Sequence, residues 1–453
     1  MADPRNFEIS DDEPLNINMV SQSNPFNYSN ANHQPAHGQA GERPKLEKAI
    51  PEILFECDDG EPLQLIRVLE NGQFELIEET AQKILEVNGN VGFCCLAGKY
   101  RTGKSFLLNR LLNLKGSGFK VSKYVNACTE GIWVWSKPIL NERENLHIFF
   151  LDTEGLDSTD SNSNRDSKLF ALAVIMSSYF MFNLTGVIDE NAINQLSLIT
   201  HIVKNIVIDA DHPNNEYSLS YYSPKFLLIL RDFMLETRDV KGRLVNPTQY
   251  LESSLTEIMN VRNFTDKQRQ IRESILTFFK FRDCVTMVRP ADSENHLQNL
   301  NESPDNVRPE FTREVNRIRD KIYNNCGAKQ LQGMNMTARM YIKMVQSFVE
   351  SINNGAAPNI MDAWSNILEN ECMLGYQRAR ATHDTLVDQE FRGDSNTSLT
   401  FEGLQITLNR LRDQSFDIFS EVVGVRDKDE DMYISYYNLL TKYIEEREAT
   451  ITQ

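Results

Sequence analysis

The residues "VGFCCLAGKYRTGKS", 91 to 105, place an apolar run directly before the pattern Gly, four residues, Gly-Lys-Ser. The amphipathic stretch "SFLLNRLLNL" then continues from Ser105. Strand, glycine loop and helix in this order predict a phosphate-binding loop, and with it an α/β sheet. Gly98 and Gly103 let the backbone curl until its N–H groups face a phosphate chain. A helix opening near Lys104 adds the positive end of its dipole. Lys104 is placed to reach the β- and γ-phosphates, and the Ser105 hydroxyl to ligate Mg²⁺. The expected nucleotide-binding stretch is Gly98, Tyr100, Arg101, Thr102, Gly103, Lys104, Ser105 and Phe106.

Four further runs resemble buried parallel strands, near-continuous and rich in branched or aromatic residues: "LHIFFLD", "YFMFNL", "KFLLILRD" and "CVTMVRP". They alternate with helical patterns, which predicts a mostly parallel sheet covered by helices on both faces. Ligands of such sheets sit at the carboxyl ends of the strands, so the polar residues closing these runs are the ones that matter. Ahead of them, "PLQLIRVLENGQFEL" carries two short alternating runs around Asn71-Gly72, a hairpin signal. The uncharged stretch 169–188, "LFALAVIMSSYFMFNLTGVI", is long enough to span a bilayer. Ser177, Ser178, Asn183, Thr185 and Gly186 interrupt it, and its second half has strand character. A buried helix running into a buried strand is the preferred reading.

Beyond about residue 330 the apolar period becomes helical. Met336, Met340, Tyr341, Met344, Val345, Phe348 and Ile352 form one stripe. Leu404, Leu408, Leu411, Ile418, Phe419 and Val422 form a second with one gap, and Tyr433, Tyr436, Tyr437, Leu440 and Ile444 a third. "NNGAAPN", 353–359, breaks the helices. No strand signal is visible here, which predicts an all-helical domain.

In "FFLDTEGL", 149–156, Asp152 ends a strand, where a carboxylate can hold a magnesium-bound water, and Gly155 can offer its N–H to a γ-phosphate at close approach. Between this element and the loop lies "CTEGIWVW", 128–135. Its Thr129 is either a mobile Mg²⁺ ligand or a β-branched residue entering a strand. The usual base-reading signature Asn-Lys-x-Asp is absent. Asp232, closing "LLILRD", can still accept two hydrogen bonds from the N1 and N2 edge of guanine, a donor pair that adenine lacks.

Charge narrows the partners. Asp and Glu total 64 against 47 Lys and Arg, a net charge of -17, and no cluster of five or more cations relieves it. That surplus repels nucleic acid and anionic lipid. Seven scattered cysteines without a CxxC pair predict reduced thiols in the cytoplasm rather than disulfides or zinc. Neither end carries a secretory, myristoyl or prenyl signal, and residues 1–48, polar and poor in aliphatics, are expected to be disordered.

"GKYRTGKSFLLNRL", "TEGIWVW", "LDTEGL", "FALAVIMSS", "ILRDF", "CVTMVRP" and "YIKMVQSFVESINNGAAPNIMDAW" together resemble the guanylate-binding proteins, dynamin-like large GTPases, over roughly residues 50–375. The resemblance implies a P-loop GTPase domain at 49–332 and a helical domain, short or truncated, at 333–453. It implies GTP as substrate, GDP as bound product and Mg²⁺ as cofactor, held by Ser105, Thr129 and, through water, Asp152. Arg231-Asp232 matches the family's guanine signature, and Arg101 its arginine finger, which swings in when two G domains dock as a homodimer. Glu154 matches a residue that positions water; Lys104 and Thr129 complete the catalytic set. Arg289 falls near the loop that caps the base. Membrane or vesicle association is implied only through other proteins. Ala127 departs from the pattern, standing where better-known members carry a serine, and Glu130 stands where a lysine is frequent. Ala127 leaves a second reading open: a slow-hydrolysing module that assembles when GTP binds. Arg231-Asp232 argues against a third, an ATPase.

Overall fold

A computed structural model of the chain describes residues 57, 59–114, 118–121, 130–155, 163–196, 222–260, 265–298, 300, 307–356, 359–391, 400–424 and 431–452. The expected tail at 1–48, Ala127 and Thr129 lie outside them.

Among the described residues the first elements are the hairpin β1 (Pro62–Val68) and β2 (Phe74–Leu76), which turns at Asn71-Gly72 with Gly72 at φ +80°. There follow α1 (Glu78–Leu85), β3 (Asn90–Gly98), α2 (Lys104–Leu111), β4 (Ile132–Trp135), β5 (Ile139–Asn141), β6 (Leu146–Thr153), α3 (Ser163–Met176), β7 (Tyr179–Thr185), α4 (Glu190–Gln195) and β8 (Lys225–Arg231). Then come α5 (Pro247–Leu255), α6 (Asp266–Phe278), β9 (Arg282–Thr286), α7 (Glu294–Gln298) and α8 (Pro309–Asn325). A small ribbon of β10 (Gln330–Leu331) and β11 (Met334–Asn335) leads into α9 (Ala338–Asn353), α10 (Ile360–Phe391), α11 (Phe401–Val423) and α12 (Asp431–Thr452).

The large sheet has the order β2-β1-β4-β6-β3-β7-β8-β9, with β5 beside β4 on the same edge of β6. Strands β6, β3, β7, β8 and β9 run parallel, and these are the five apolar runs singled out above. The remaining strands extend one side antiparallel. Successive side chains of β3 alternate between two cores. Phe93 and Cys95 face the core shared with α3, α5, α6 and α9; Cys94 and Leu96 face the one shared with α2 and α8. Because both faces are buried, the central strands are apolar almost throughout.

The stretch 169–188 divides into the end of α3 and all of β7, as the buried reading predicts, and no helix among the described residues is long and apolar enough to cross a membrane. The apolar stripe of α9 lies on the sheet rather than apart from it. Tyr341 stacks on Phe93 with ring centroids 3.6 Å apart, and Met336 O accepts from Val91 N at 3.0 Å. The gap in the α11 stripe is Ser415, fully buried, whose Oγ is 3.2 Å from His383 Nδ1 on α10. The β10–β11 ribbon sits where no strand was expected. Two-residue strands are too short to leave a periodic signal.

Candidate functional site

The glycine loop leaves β3 between its two parallel neighbours, β6 and β7. Its curvature depends on residues in unusual backbone states. Gly103 lies at φ +72° and caps α2, while Arg101 adopts φ +62° despite having a side chain. A Cβ on Gly98 would stand 2.5 Å from Asn183 O of β7, so this strand contact admits only glycine.

Lys104 and Ser105 open α2. Lys104 is buried, and its Nζ donates to Lys99 O at 3.3 Å. Burial pulls its ammonium below the ordinary lysine range, while the carboxylates of Asp152 and Glu154 pull it back up. Ser105 Oγ donates to Asp152 Oδ2 at 2.6 Å, joining the start of α2 to the end of β6. Gly155 lies against the loop: a Cβ there would be 2.6 Å from Tyr100 Cα and 3.0 Å from Lys104 Nζ. These residues, widely separated in sequence, therefore converge at the carboxyl ends of β3 and β6.

Glu154 is buried beside them. Its Oε2 accepts from Gly131 N at 3.3 Å, and its Oε1 accepts from the Arg165 guanidinium of α3 in a short ion pair. Burial raises the Glu154 carboxyl above the usual glutamate range, with the Gly131 N–H and Arg165 opposing that rise. Arg165 was not legible as part of the site, since its only link to Glu154 is spatial. Asn183 was missed as well, named above only as an interruption of 169–188, although it is the one amide in "YFMFNL"; its Nδ2 donates to Thr102 O at 3.3 Å.

Arg231 and Asp232 diverge. The Arg231 guanidinium is buried beneath the loop, with Nη1 donating to Thr102 O at 3.2 Å and Gly103 O at 3.4 Å, and its Cζ 5.7 Å from the Phe311 ring centroid. Burial pulls it down to about 10, and Asp232 opposes the fall. Asp232, at φ +56°, turns outward, where its Oδ2 is 4.0 Å from Arg289 Nε. Arg101 is exposed, with its guanidinium 5.3 Å from the Tyr100 ring centroid. Phe106 packs below the loop, its ring 6.0 Å from Phe311.

Residues 71–331 match the family described as guanylate-binding protein, N-terminal domain, and residues 332–450 match guanylate-binding protein, C-terminal domain. The chain belongs to the guanylate-binding protein family. Similar members include Guanylate-binding protein 4 of Homo sapiens, 30% identical over 366 residues (79% of this chain, 57% of the relative). Guanylate-binding protein 2 of Rattus norvegicus is 31% identical over 399 residues (86% of this chain, 66% of the relative). Guanylate-binding protein 5 of Homo sapiens is 30% identical over 344 residues (75% and 58%). The chain thus spans less than two thirds of the length of these relatives. The two family matches meet at 331/332, inside the turn of the β10–β11 ribbon.

In this guanylate-binding fold, Ser105 Oγ and the Asp152 carboxylate offer hard oxygen donors side by side. That donor set fits Mg²⁺, which typically takes one or two protein oxygens and completes its shell with water and phosphate.

Proposed function

We propose that this chain binds GTP with Mg²⁺ in the loop between β3 and α2 and hydrolyses it, with turnover raised when two G domains dock across their nucleotide faces. In this reading residues 49–332 form the G domain and 333–453 the helical domain. The carrying observation is the buried Lys104 at the mouth of β3, flanked by the Ser105–Asp152 bond and by Glu154. Burial disfavours an ammonium, and a polyphosphate seated on the loop amides supplies the countercharge that stabilises it.

Each residue then has a task. The amides of the loop hold the phosphate chain, and Lys104 draws the β- and γ-oxygens. Ser105 would ligate Mg²⁺ directly, Asp152 through a water, and Thr129 from the segment ahead of β4. The ion would neutralise charge on the β- and γ-oxygens. The Gly155 N–H faces the γ-phosphate, and Glu154 orients the attacking water through its hydrogen-bonded network. Asp232 accepts from the guanine N1 and N2 edge, with Arg289 beside it. Arg101 sits on the outer surface of the loop, where a second G domain would enclose it. An arginine so placed contributes roughly 10³–10⁵ in rate.

The test is GTP turnover per molecule against protein concentration, with products separated by chromatography. The reading requires a rate per molecule that climbs with concentration and an Arg101→Ala variant that stays low throughout. A flat, rapid rate would refute activation by docking. The alternative, a GTP-gated assembly module with slow hydrolysis, is favoured by Ala127; dimerisation with GTP and almost no turnover would select it. Turnover of ATP as fast as GTP would defeat both. In this reading the setting is the reducing cytoplasm, which rests on the seven scattered cysteines without a CxxC pair. Any association with a membrane or vesicle goes, in this reading, through other proteins, and the acidic surface disfavours nucleic acid.

A further inference from the structure

Arg231 and Asp232 are adjacent in sequence, yet the structure gives them separate tasks. We propose that Arg231 acts in nucleotide binding as a strut that sets the phosphate loop from behind, and that Asp232 alone of the pair reads the base. The proposal rests on the guanine-nucleotide reading above and assigns to Arg231 a positioning role within it.

Three observations carry it. Arg231 as a whole residue is 4% exposed and its guanidinium lies between the loop and Phe311 of α8, whereas 39% of the Asp232 side chain is open to solvent. Its Nη1 reaches two successive carbonyls of the loop, Thr102 O and Gly103 O. A second side chain, Asn183 of β7, donates to the same Thr102 O. The consequence follows from peptide geometry. In a trans peptide the C=O and the following N–H point in opposite directions. Holding Thr102 O toward β8 therefore aims the Gly103 N–H away from it, and holding Gly103 O does the same for the Lys104 N–H. Both N–H groups belong to the stretch that cradles phosphate. Gly103, at φ +72°, is the flexible point of that stretch; its own carbonyl is also held by Leu107 N at 3.0 Å in the first turn of α2, so the distinct contribution of the guanidinium falls on Thr102 O, which among the described side chains only Arg231 and Asn183 hold.

The site is braced at its other end as well. Arg319 of α8 donates from Nε to Leu111 O at 2.9 Å and from Nη2 to Arg110 O at 2.5 Å, at the carboxyl end of α2. Thus α8 supports α2 at its far end through Arg319 and at its near end through Phe311, which meets both Phe106 and Arg231. The guanidinium also places a positive charge behind the loop.

A strut and a base reader differ in what they do to selectivity. The experiment measures the affinities of the full chain for GDP and for IDP, which lacks the 2-amino group, in wild type, Arg231→Met, Arg231→Lys and Asp232→Asn. Arg231→Met removes hydrogen bonds from a charged donor, so both affinities should fall by roughly tenfold or more, leaving their ratio within about twofold of wild type. Arg231→Lys keeps a cation and a donor and should lose less, with the same ratio. Asp232→Asn should instead collapse the ratio. If the methionine variant does not fold, the lysine variant and Asn183→Ala, which removes the second strut, must both show weakened binding at constant ratio. A fall in GDP affinity with IDP unaltered would make Arg231 a base reader and overturn the proposal; unchanged affinity for both would overturn it too. Equal binding of GDP and IDP by wild type and by Asp232→Asn would refute base reading by Asp232 and with it the assignment of tasks, whereas no binding of either by wild type would refute the nucleotide reading itself.

Discussion

Replacing Arg165 with methionine tests the least obvious part of the site. Arg165 is the only side chain in described ion-pair contact with the Glu154 carboxylate, whose side chain is 5% exposed. Removing one partner of a fully buried pair costs about 3–5 kcal/mol. Arg165 is itself 25% exposed, and the Gly131 N–H still serves Glu154, so about 1.5–3 kcal/mol is expected here. For a domain of this size that lowers Tm by roughly 3–10 °C. The pH dependence has a definite sign. Burial already raises the Glu154 carboxyl above its ordinary range, and loss of Arg165 raises it further. Between the unfolded and folded pKa the native state holds more protons than the unfolded one, so stability falls as pH rises through that window. The deficit of Arg165→Met relative to wild type should be largest near neutral pH and shrink toward the ordinary glutamate range. Adding Glu154→Gln to Arg165→Met should recover most of the loss, because no buried charge then remains unpaired. Thermal melts of the variants at about pH 5 and pH 8 measure this. A deficit that is equal at both pH values, or absent, would refute the reasoning.

Gly155→Ala should cost about 1–3 kcal/mol and weaken nucleotide binding, since its Cβ would stand 2.6 Å from Tyr100 Cα; unaltered affinity in calorimetry would contradict the close packing. Tyr341→Phe should raise stability by about 1 kcal/mol, because the Tyr341 hydroxyl is buried on Phe93 without a hydrogen-bond partner among the described residues; a lower Tm would show the hydroxyl is satisfied. Lys329 is buried with Nζ 2.9 Å from Ser177 O, and burial lowers it to about 7. From pH 7 to the ordinary lysine range the unfolded chain binds more protons, so wild-type stability gains from this group as pH rises. Lys329→Met should lose that gain, and denaturant midpoints with the same pH slope in both proteins would contradict it.

The parts of the fold that could be read from sequence share one property: their signal is local. The five parallel strands are apolar because both faces are buried, and the glycine loop depends on residues within eight positions of each other. Asn71-Gly72 announced its hairpin for the same reason. What escaped was either too short or non-local. β5 and the β10–β11 ribbon hold two or three residues each, below the length at which alternation can be counted. β4 was visible only as the apolar end of "CTEGIWVW". Arg165 meets Glu154 across eleven positions of sequence that carry no periodic signal, and Arg319 reaches α2 from more than two hundred residues away. The direction of Arg231 was hidden too: its strand position was legible, but which face of β8 meets the loop depends on sheet order. The gap in the α11 stripe looked like a flaw in the pattern and is a buried serine paired with His383.

The central claim is that a guanine nucleotide with magnesium is held by Lys104 and the loop amides and selected by Asp232. Isothermal calorimetry of the full chain with a non-hydrolysable GTP analogue and Mg²⁺, beside the matching ATP analogue, tests it most directly. The account predicts saturable heat with the guanosine analogue, much weaker heat with the adenosine one, and loss of binding in Lys104→Ala. Folded protein that gives no heat with the guanosine analogue, or equal heat with both, would contradict it.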